Sequence, residues 1–163
     1  MNDNRRVIIA DDLEDNVACL ALLLRRAGCD VLEFTRGDRL LDSAIRFRPH
    51  AVLVDLYLGG ASGLEIARSM RQHPQLRTTL LAAISGWVDE SSRRLAADAG
   101  FDRFYEKPVN PQEVIDLVLS IDRRQDPPLP WPALAERRRR SPLPQSERSE
   151  LRRARSVPIG AEG

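Results

Sequence analysis

The chain has 163 residues, of which 42% are hydrophobic and 30% charged, and its formal net charge at pH 7 is +1. This length supports one ordinary domain with a core and is too short for two full domains. The longest apolar run covers only residues 17–24, far below the ~20 residues that a membrane-spanning helix needs. Acidic residues follow the N-terminus before a secretory apolar segment could form. We therefore predict no signal peptide, no membrane span and a cytoplasmic location.

Five short runs of strand length recur along the first 124 residues. In chain order they are RVIIA (6–10), DVLEF (30–34), AVLV (51–54), LLAAI (80–84) and DRFY (102–105). The most apolar of these runs are typical of strands that helices cover on both faces.

Helical patterns lie between these runs. Residues 17–24 and 114–121 both carry apolar side chains at i, i+3, i+4 and i+7. Asp89 and Ser91 are suited to cap a further helix, which Gly100 would end. Strands that alternate with helices predict an α/β fold, a doubly wound parallel sheet of five strands with five helices.

The alternating pattern ends after Arg124. Residues 125–163 hold seven of the chain's eleven prolines, and their 8 basic and 5 acidic side chains give a net charge of +3. Residues 1–124 have 17 basic and 19 acidic side chains, a net charge of −2. We predict one domain over 1–124, followed by a disordered, flexible Pro/Arg-rich tail over 125–163 with no output domain.

Polar side chains follow four of the five predicted strands. Asp11 and Asp12 come after the first strand, Asp55 after the third, Ser85 after the fourth, and Lys107, the only lysine of the chain, after the fifth. Because the carboxyl ends of parallel strands share one edge of a sheet, where such folds bind their ligands, we expect these side chains to lie together.

The expected cluster of three carboxylates has a clear electrostatic requirement. Two carboxylates ~4 Å apart near a protein surface repel by about 4 kcal/mol at an effective dielectric constant near 20, so three of them favour binding of a cation. An all-oxygen site with room for water suits Mg²⁺. The compact ammonium of Lys107 is suited to pair with a carboxylate or a phosphoryl oxygen.

On these motifs the chain resembles the receiver domains of two-component response regulators. The motifs are the acidic pair in IIADD, the aspartate in VLVDLYLGGASG, the serine in AISGW and the KP pair in YEKPVN. The resemblance covers roughly residues 5–123, and the absence of a predicted output domain makes the chain similar to stand-alone regulators of this family. It implies a flavodoxin-like sheet in the order 2-1-3-4-5.

The resemblance also implies roles for the residues at the strand ends. Asp55 would accept a phosphoryl group from a histidine kinase or a phosphotransfer protein. Asp12 would bind Mg²⁺ directly, Asp11 mainly through water, and the backbone carbonyl of Tyr57 would complete the protein's share of the metal site with Asp55.

Three further residues would connect phosphorylation to signalling. Lys107 would pair with Asp55 at rest and with a phosphoryl oxygen afterwards, and Ser85 would hydrogen-bond another phosphoryl oxygen. Phe104 takes the position of the switch aromatic. The resulting change would alter a partner-docking face made by the fourth helix, the fifth strand and the fifth helix. The implied protein is a monomer or a phosphorylation-dependent dimer that assists only its own phosphorylation and dephosphorylation, and is otherwise not an enzyme.

The chain departs from the usual family pattern near the acceptor. Gly59 stands where the family usually has proline, which predicts a more flexible loop LGGASG. Tyr57 and Trp87 are large side chains on the expected path of an attacking water. They predict slower loss of the phosphoryl group than small residues would give.

Alternative functions remain open from the residues alone. One is a receiver or scaffold independent of phosphate, whose basic tail binds nucleic acid or an acidic partner. The glutamates in the tail and its single aromatic, Trp131, do not favour nucleic acid, and a steep salt dependence of binding would be the discriminating observation. Another is a phosphatase with an aspartate nucleophile, but such enzymes usually carry a DxD motif after the first strand, where this chain has DDLE at 11–14.

Overall fold

The computed structural model describes residues 4–122. The elements in chain order are β1 (Arg5–Ala10), α1 (Glu14–Arg26), β2 (Cys29–Phe34), α2 (Leu40–Phe47), β3 (Ala51–Asp55), β4 (Tyr57–Leu58), β5 (Ala61–Ser62), α3 (Gly63–Gln72), β6 (Leu80–Ser85), α4 (Glu90–Ala99), β7 (Arg103–Glu106) and α5 (Pro111–Ser120). Each of the five predicted strands is confirmed to within one residue at either end. The predicted tail, 125–163, lies outside the described residues, and none of the helices described is long and apolar enough to cross a membrane.

The main sheet has the order β2-β1-β3-β6-β7, and every neighbouring pair is parallel. Counted over the five main strands this is the order 2-1-3-4-5, so the predicted doubly wound, flavodoxin-like α/β fold is confirmed. In this order β1 and β3 are neighbours at the centre, followed by β6 and β7. The carboxyl ends of these four strands therefore lie side by side along one edge.

Two apolar clusters cover the two faces of the sheet. Alternation along β1 sends Val7 and Ile9 to the face covered by α1 and α5, and sends Ile8 and Ala10 to the face covered by α2, α3 and α4. All four side chains are buried. Strands that are buried on both faces are held rigidly, and this fixes the positions of the residues that follow them.

Local sequence signals set the residues at which the last two helices begin. The side chain of Asp89 accepts a hydrogen bond from the N–H of Ser92 at 2.6 Å, which makes Asp89 the N-cap of α4 as predicted, while Ser91 lies inside the helix. Pro111 begins α5, where its missing N–H costs no hydrogen bond. These caps set where the loops after β6 and β7 end.

The segment after β3 differs from the loop predicted by the sequence. It forms a hairpin of two short antiparallel strands, β4 and β5, joined by Gly59 and Gly60 with φ values of +44° and +103°. A two-residue hairpin turn with positive φ at both positions favours glycine, which has no Cβ to clash. Backbone pairing therefore orders part of LGGASG, the segment that follows Asp55.

Candidate functional site

The ammonium of Lys107 joins two of the predicted carboxylates. Its Nζ lies 2.7 Å from Oδ2 of Asp11 and 2.6 Å from Oδ2 of Asp55. The backbone N–H of Lys107 donates to the carbonyl of Ser85 at 2.9 Å, which continues the pairing of β7 with β6 by one residue. The peptide bond from Lys107 to Pro108 is cis. The ends of β1, β3 and β7 thus meet at one cation.

The surroundings of Lys107 keep its ammonium charged. Burial alone lowers the pKa of Lys107, but the hydrogen bonds to Asp11 and Asp55 and the negative charges of these carboxylates outweigh burial and raise the pKa above its ordinary value. A lysine whose pKa is raised remains a cation throughout the neutral pH range. Lys107 therefore acts as a fixed positive charge beside the acidic residues.

Backbone and amide groups orient the two buried carboxylates. Asp11 and Asp55 are 5% and 6% exposed. Oδ1 of Asp55 accepts from the N–H of Tyr57 at 3.0 Å, and Oδ1 of Asp11 accepts from the N–H of Leu13 at 2.9 Å. Asn16 adds a longer contact of 3.4 Å from its Nδ2 to Oδ2 of Asp11. Each carboxylate is held at both oxygens by groups close to a strand end.

The third predicted carboxylate completes an all-oxygen cluster. Asp11, Asp12 and Asp55 each offer one oxygen, and these oxygens lie within 4.8 Å of one another. Asp12 is exposed, so one side of the cluster is open to water. Hard oxygen ligands with room for water fit Mg²⁺, which retains several waters in protein sites.

Ser85 ends β6 with its hydroxyl turned to its own loop. The side chain is fully buried. Its Oγ accepts from the N–H of Trp87 and can donate to the carbonyl of Trp87, both at 3.2 Å. The hydroxyl is thus held by two short-range hydrogen bonds at the strand end next to Asp55.

Phe104 lies in β7, three residues before Lys107. The ring is partly buried and packs against the apolar cluster on the α2, α3 and α4 side of the sheet. Cζ of Arg93, in α4, lies 4.9 Å from the centroid of the ring. The structure therefore places the predicted switch aromatic under a cation of the neighbouring helix.

Several contacts at the site could not be anticipated from the sequence. A Cβ added to Gly63 would lie 2.3 Å from the backbone oxygen of Asp55, so the start of α3 approaches the backbone of Asp55 too closely for any side chain. The only signal for this glycine was its place in LGGASG. Nothing in the sequence pointed to Asn16, Arg93 or the backbone of Trp87, because the same residue types occur at ordinary surface positions and in ordinary turns.

A doubly wound sheet with this charged carboxyl edge belongs to the class of α/β proteins that bind ligands beyond the ends of their strands. A family model described as the response regulator receiver domain matches residues 7–119, and the chain belongs to this family. Receiver domains are signalling modules of two-component systems and not classical enzymes, and the family binds Mg²⁺ at an acidic pocket.

Curated relatives agree with this membership. The chain is 28% identical over 123 residues to the alkaline phosphatase synthesis transcriptional regulatory protein PhoP of Bacillus subtilis, across 76% of this chain and 50% of that protein. It is 30% identical over 122 residues to the DNA-binding response regulator MtrA of Mycobacterium tuberculosis, across 75% and 52%. The chain thus spans about half the length of these two relatives.

Solved structures share the fold. The BeF3-activated DrrB receiver domain is 25% identical, with a TM-score of 0.63 over 71% of this chain and 95% of that one. The chemotaxis protein CheY4 of Vibrio cholerae is 19% identical, with a TM-score of 0.67 over 71% and 97%, and supports the fold alone. The individual roles predicted for the site residues remain predictions.

Proposed function

We propose that this chain is a phosphoacceptor receiver, in which Asp55 takes a phosphoryl group from the histidine of a kinase or a phosphotransfer protein. The observation that carries the proposal is the position of Asp55. It lies at the end of a buried strand, with one oxygen on the N–H of Tyr57 and the other on the ammonium of Lys107. Two further carboxylates offer oxygens within 4.8 Å.

The proposed reaction needs few groups from the protein. An oxygen of Asp55 attacks phosphorus, the P–N bond to the donor imidazole breaks, and its electron pair returns to the imidazole nitrogen. The product is an acyl phosphate, a known covalent strategy for carboxylate nucleophiles. Positioning and charge neutralisation are most of what phosphoryl transfer requires.

Mg²⁺ is the proposed cofactor of this step. Asp11, Asp12, Asp55 and the backbone carbonyl of Tyr57 would hold it, with Asp12 as a direct ligand and Asp11 acting mainly through water. When bound, the ion supplies positive charge to the phosphoryl oxygens and to the crowded carboxylates.

Lys107 and Ser85 would change partners during the reaction. The Lys107 ammonium would move from the Asp55 carboxylate to a phosphoryl oxygen, where it stabilises the charge of the transferring group. The Ser85 hydroxyl would leave Trp87 and donate to a second phosphoryl oxygen. Phe104 would then turn into the space that Ser85 vacates, and the protein would shift between two states.

This shift would be read by partner proteins at the surface formed by α4, β7 and α5. The proposed downstream partner is a protein, and the proposed oligomeric state is a monomer or a phosphorylation-dependent dimer in the cytoplasm. We further propose that the receiver domain ends near residue 124 and that residues 125–163 lie outside it. The chain would assist only its own phosphorylation and dephosphorylation.

Intact mass measurement after incubation with acetyl phosphate and Mg²⁺ tests the proposal. We expect one added phosphoryl group on the full chain, none on Asp55→Asn, and none on the full chain when EDTA replaces Mg²⁺. Asp116→Asn, which removes an exposed carboxylate on α5, is the matched control and is expected to be labelled like the parent. Equal labelling of Asp55→Asn and the parent would contradict the assignment of the acceptor.

A further inference from the structure

The contact between Arg93 and Phe104 links the fourth helix to the strand that carries the proposed switch aromatic. The Arg93 Cζ is 4.9 Å from the Phe104 ring centroid, inside the ~6 Å range of cation–π attraction. Arg93 forms no ion pair with any residue in 4–122, whereas the adjacent Arg94 pairs with Glu90 at 3.2 Å. The guanidinium of Arg93 is thus available to the ring.

The residues beside Phe104 in the sheet are small, which favours a turn of its ring. Phe104 in β7 is paired with Ala83 in β6, a fully buried residue with a small side chain. Ser85 lies two residues after Ala83 in β6. The Ser85 hydroxyl is held by the backbone of Trp87. If this hydroxyl moves to a phosphoryl group, the space that it leaves lies on the same face of the sheet as the ring, two residues along β6 from Ala83.

We propose that Arg93 is a positioning residue that holds Phe104 in its resting orientation and so sets the balance between the resting and activated states. This inference rests on the proposed phosphorylation function. A ring that turns inward leaves the guanidinium, so the contact stabilises the resting state alone. A contact that is present in only one of two states shifts their populations by its full free energy.

The size of the effect follows from the exposure of Arg93. A cation–π contact at an exposed site changes a two-state population by about two- to five-fold. Loss of the contact therefore increases the activated fraction by this factor. Because only the activated fraction presents the Ser85 hydroxyl to the phosphoryl group, the rate of phosphorylation by a small donor increases with it.

The test compares initial rates of acetyl phosphate labelling, measured by intact mass at subsaturating donor with Mg²⁺. We expect Arg93→Met to be labelled about two- to five-fold faster than the parent, and Arg93→Lys, which keeps a cation over the ring, to be close to the parent. Arg94→Met is the matched control, since it removes the same charge one residue away, and its rate is expected to be unchanged. In a Phe104→Leu background, Arg93→Met is expected to change nothing.

Three results would overturn the inference: an unchanged rate in Arg93→Met, the same increase in Arg94→Met, or the same increase in the Phe104→Leu background. Urea unfolding of each variant separates a change of switch balance from a general loss of stability. If the parent itself is never labelled, the proposed function fails and this inference fails with it. If the parent is labelled and Arg93→Met matches it, only the role of Arg93 is wrong.

Discussion

At the scale of single residues, Lys107 shows why one lysine stands among 25 long-chain cations that are otherwise arginines. Its Nζ lies between two carboxylates at 2.7 and 2.6 Å. An ammonium is a compact charge on a flexible stem and can exchange one partner for another. A guanidinium is a planar fork that prefers to hold one carboxylate with two parallel hydrogen bonds. The proposed transfer of Lys107 from Asp55 to a phosphoryl oxygen would therefore favour lysine at this position.

Tyr57 and Trp87 are a second case at the scale of single residues. Each is a large side chain two residues after a site residue. They are 64% and 70% exposed, so neither is needed for the core. We expect the double variant Tyr57→Ala/Trp87→Ala to lose its phosphoryl group at least about threefold faster, a change of ~0.7 kcal/mol in the barrier, because water reaches the acyl phosphate more easily. Timed intact mass measurement after removal of the donor gives this lifetime.

Leu119→Ala is the control for that experiment, since Leu119 is an exposed apolar residue on α5 and is not among the residues of the site. Its phosphoryl lifetime is expected to equal that of the parent. An unchanged lifetime in the double variant would show that the two aromatic side chains do not restrict water.

At the scale of elements, the sequence predicted the placement of the site better than its internal contacts. Asp11, Asp55 and Lys107 could be placed because the chain alternates strands and helices, and a parallel sheet brings all strand ends to one edge. The hairpin at β4 and β5 was missed because two-residue strands carry no periodicity. The contact of Arg93 with Phe104 depends on how α4 lies on β7, and neither local spacing nor composition determines that.

The element scale also includes an ion pair that joins α3 to the start of β6 and β7. The guanidinium of Arg71 lies 2.7 Å from Oδ2 of Asp102, and the side chains of Arg71 and Asp102 are 16% and 6% exposed. The same oxygen of Asp102 accepts a hydrogen bond from the N–H of Leu81 at 2.8 Å. The guanidinium of Arg71 also donates to the carbonyls of Gly100 and Thr79. Burial lowers the pKa of Arg71, although the charge and hydrogen bond of Asp102 oppose this.

Removal of the acidic partner is expected to be costly because it leaves a buried guanidinium without its counterion. We expect Asp102→Ala to lower the free energy of unfolding by about 3–5 kcal/mol, measured by urea denaturation. Glu90→Ala breaks the exposed pair with Arg94 and is the matched control, with an expected cost of about 0–1 kcal/mol. Similar costs in the two variants would show that the buried pair does not hold these elements together.

At the scale of the whole molecule, the described fold closes before the predicted tail begins. Ile121 is the last buried apolar residue of the described core. The side chain of Arg5 donates from Nε to its carbonyl at 3.1 Å and also reaches the carbonyl of Leu119. The end of α5 is therefore fixed to the start of β1 by groups inside the domain. The stability of the domain should not depend on residues 125–163.

A variant that ends at residue 124 tests this independence together with the nucleic-acid alternative. We expect its melting temperature to lie within about 2 °C of the full chain, since 1 kcal/mol shifts a domain of this size by about 4 °C. Acetyl phosphate labelling of Asp55 is expected to be unchanged. A fall of more than about 8 °C would show that the tail forms part of the fold.

The salt dependence of DNA binding distinguishes the two hypotheses about residues 125–163, a tail that binds nucleic acid and a tail that does not. If all eight tail cations contacted phosphates, the logarithm of the binding constant would fall with the logarithm of salt concentration with a slope of about −7. Glutamates interspersed among the arginines oppose such binding, so we expect the full chain to bind a short duplex weakly, with a much shallower slope that the shortened variant shares. A steep slope that disappears with the tail would instead favour a nucleic-acid-binding receiver.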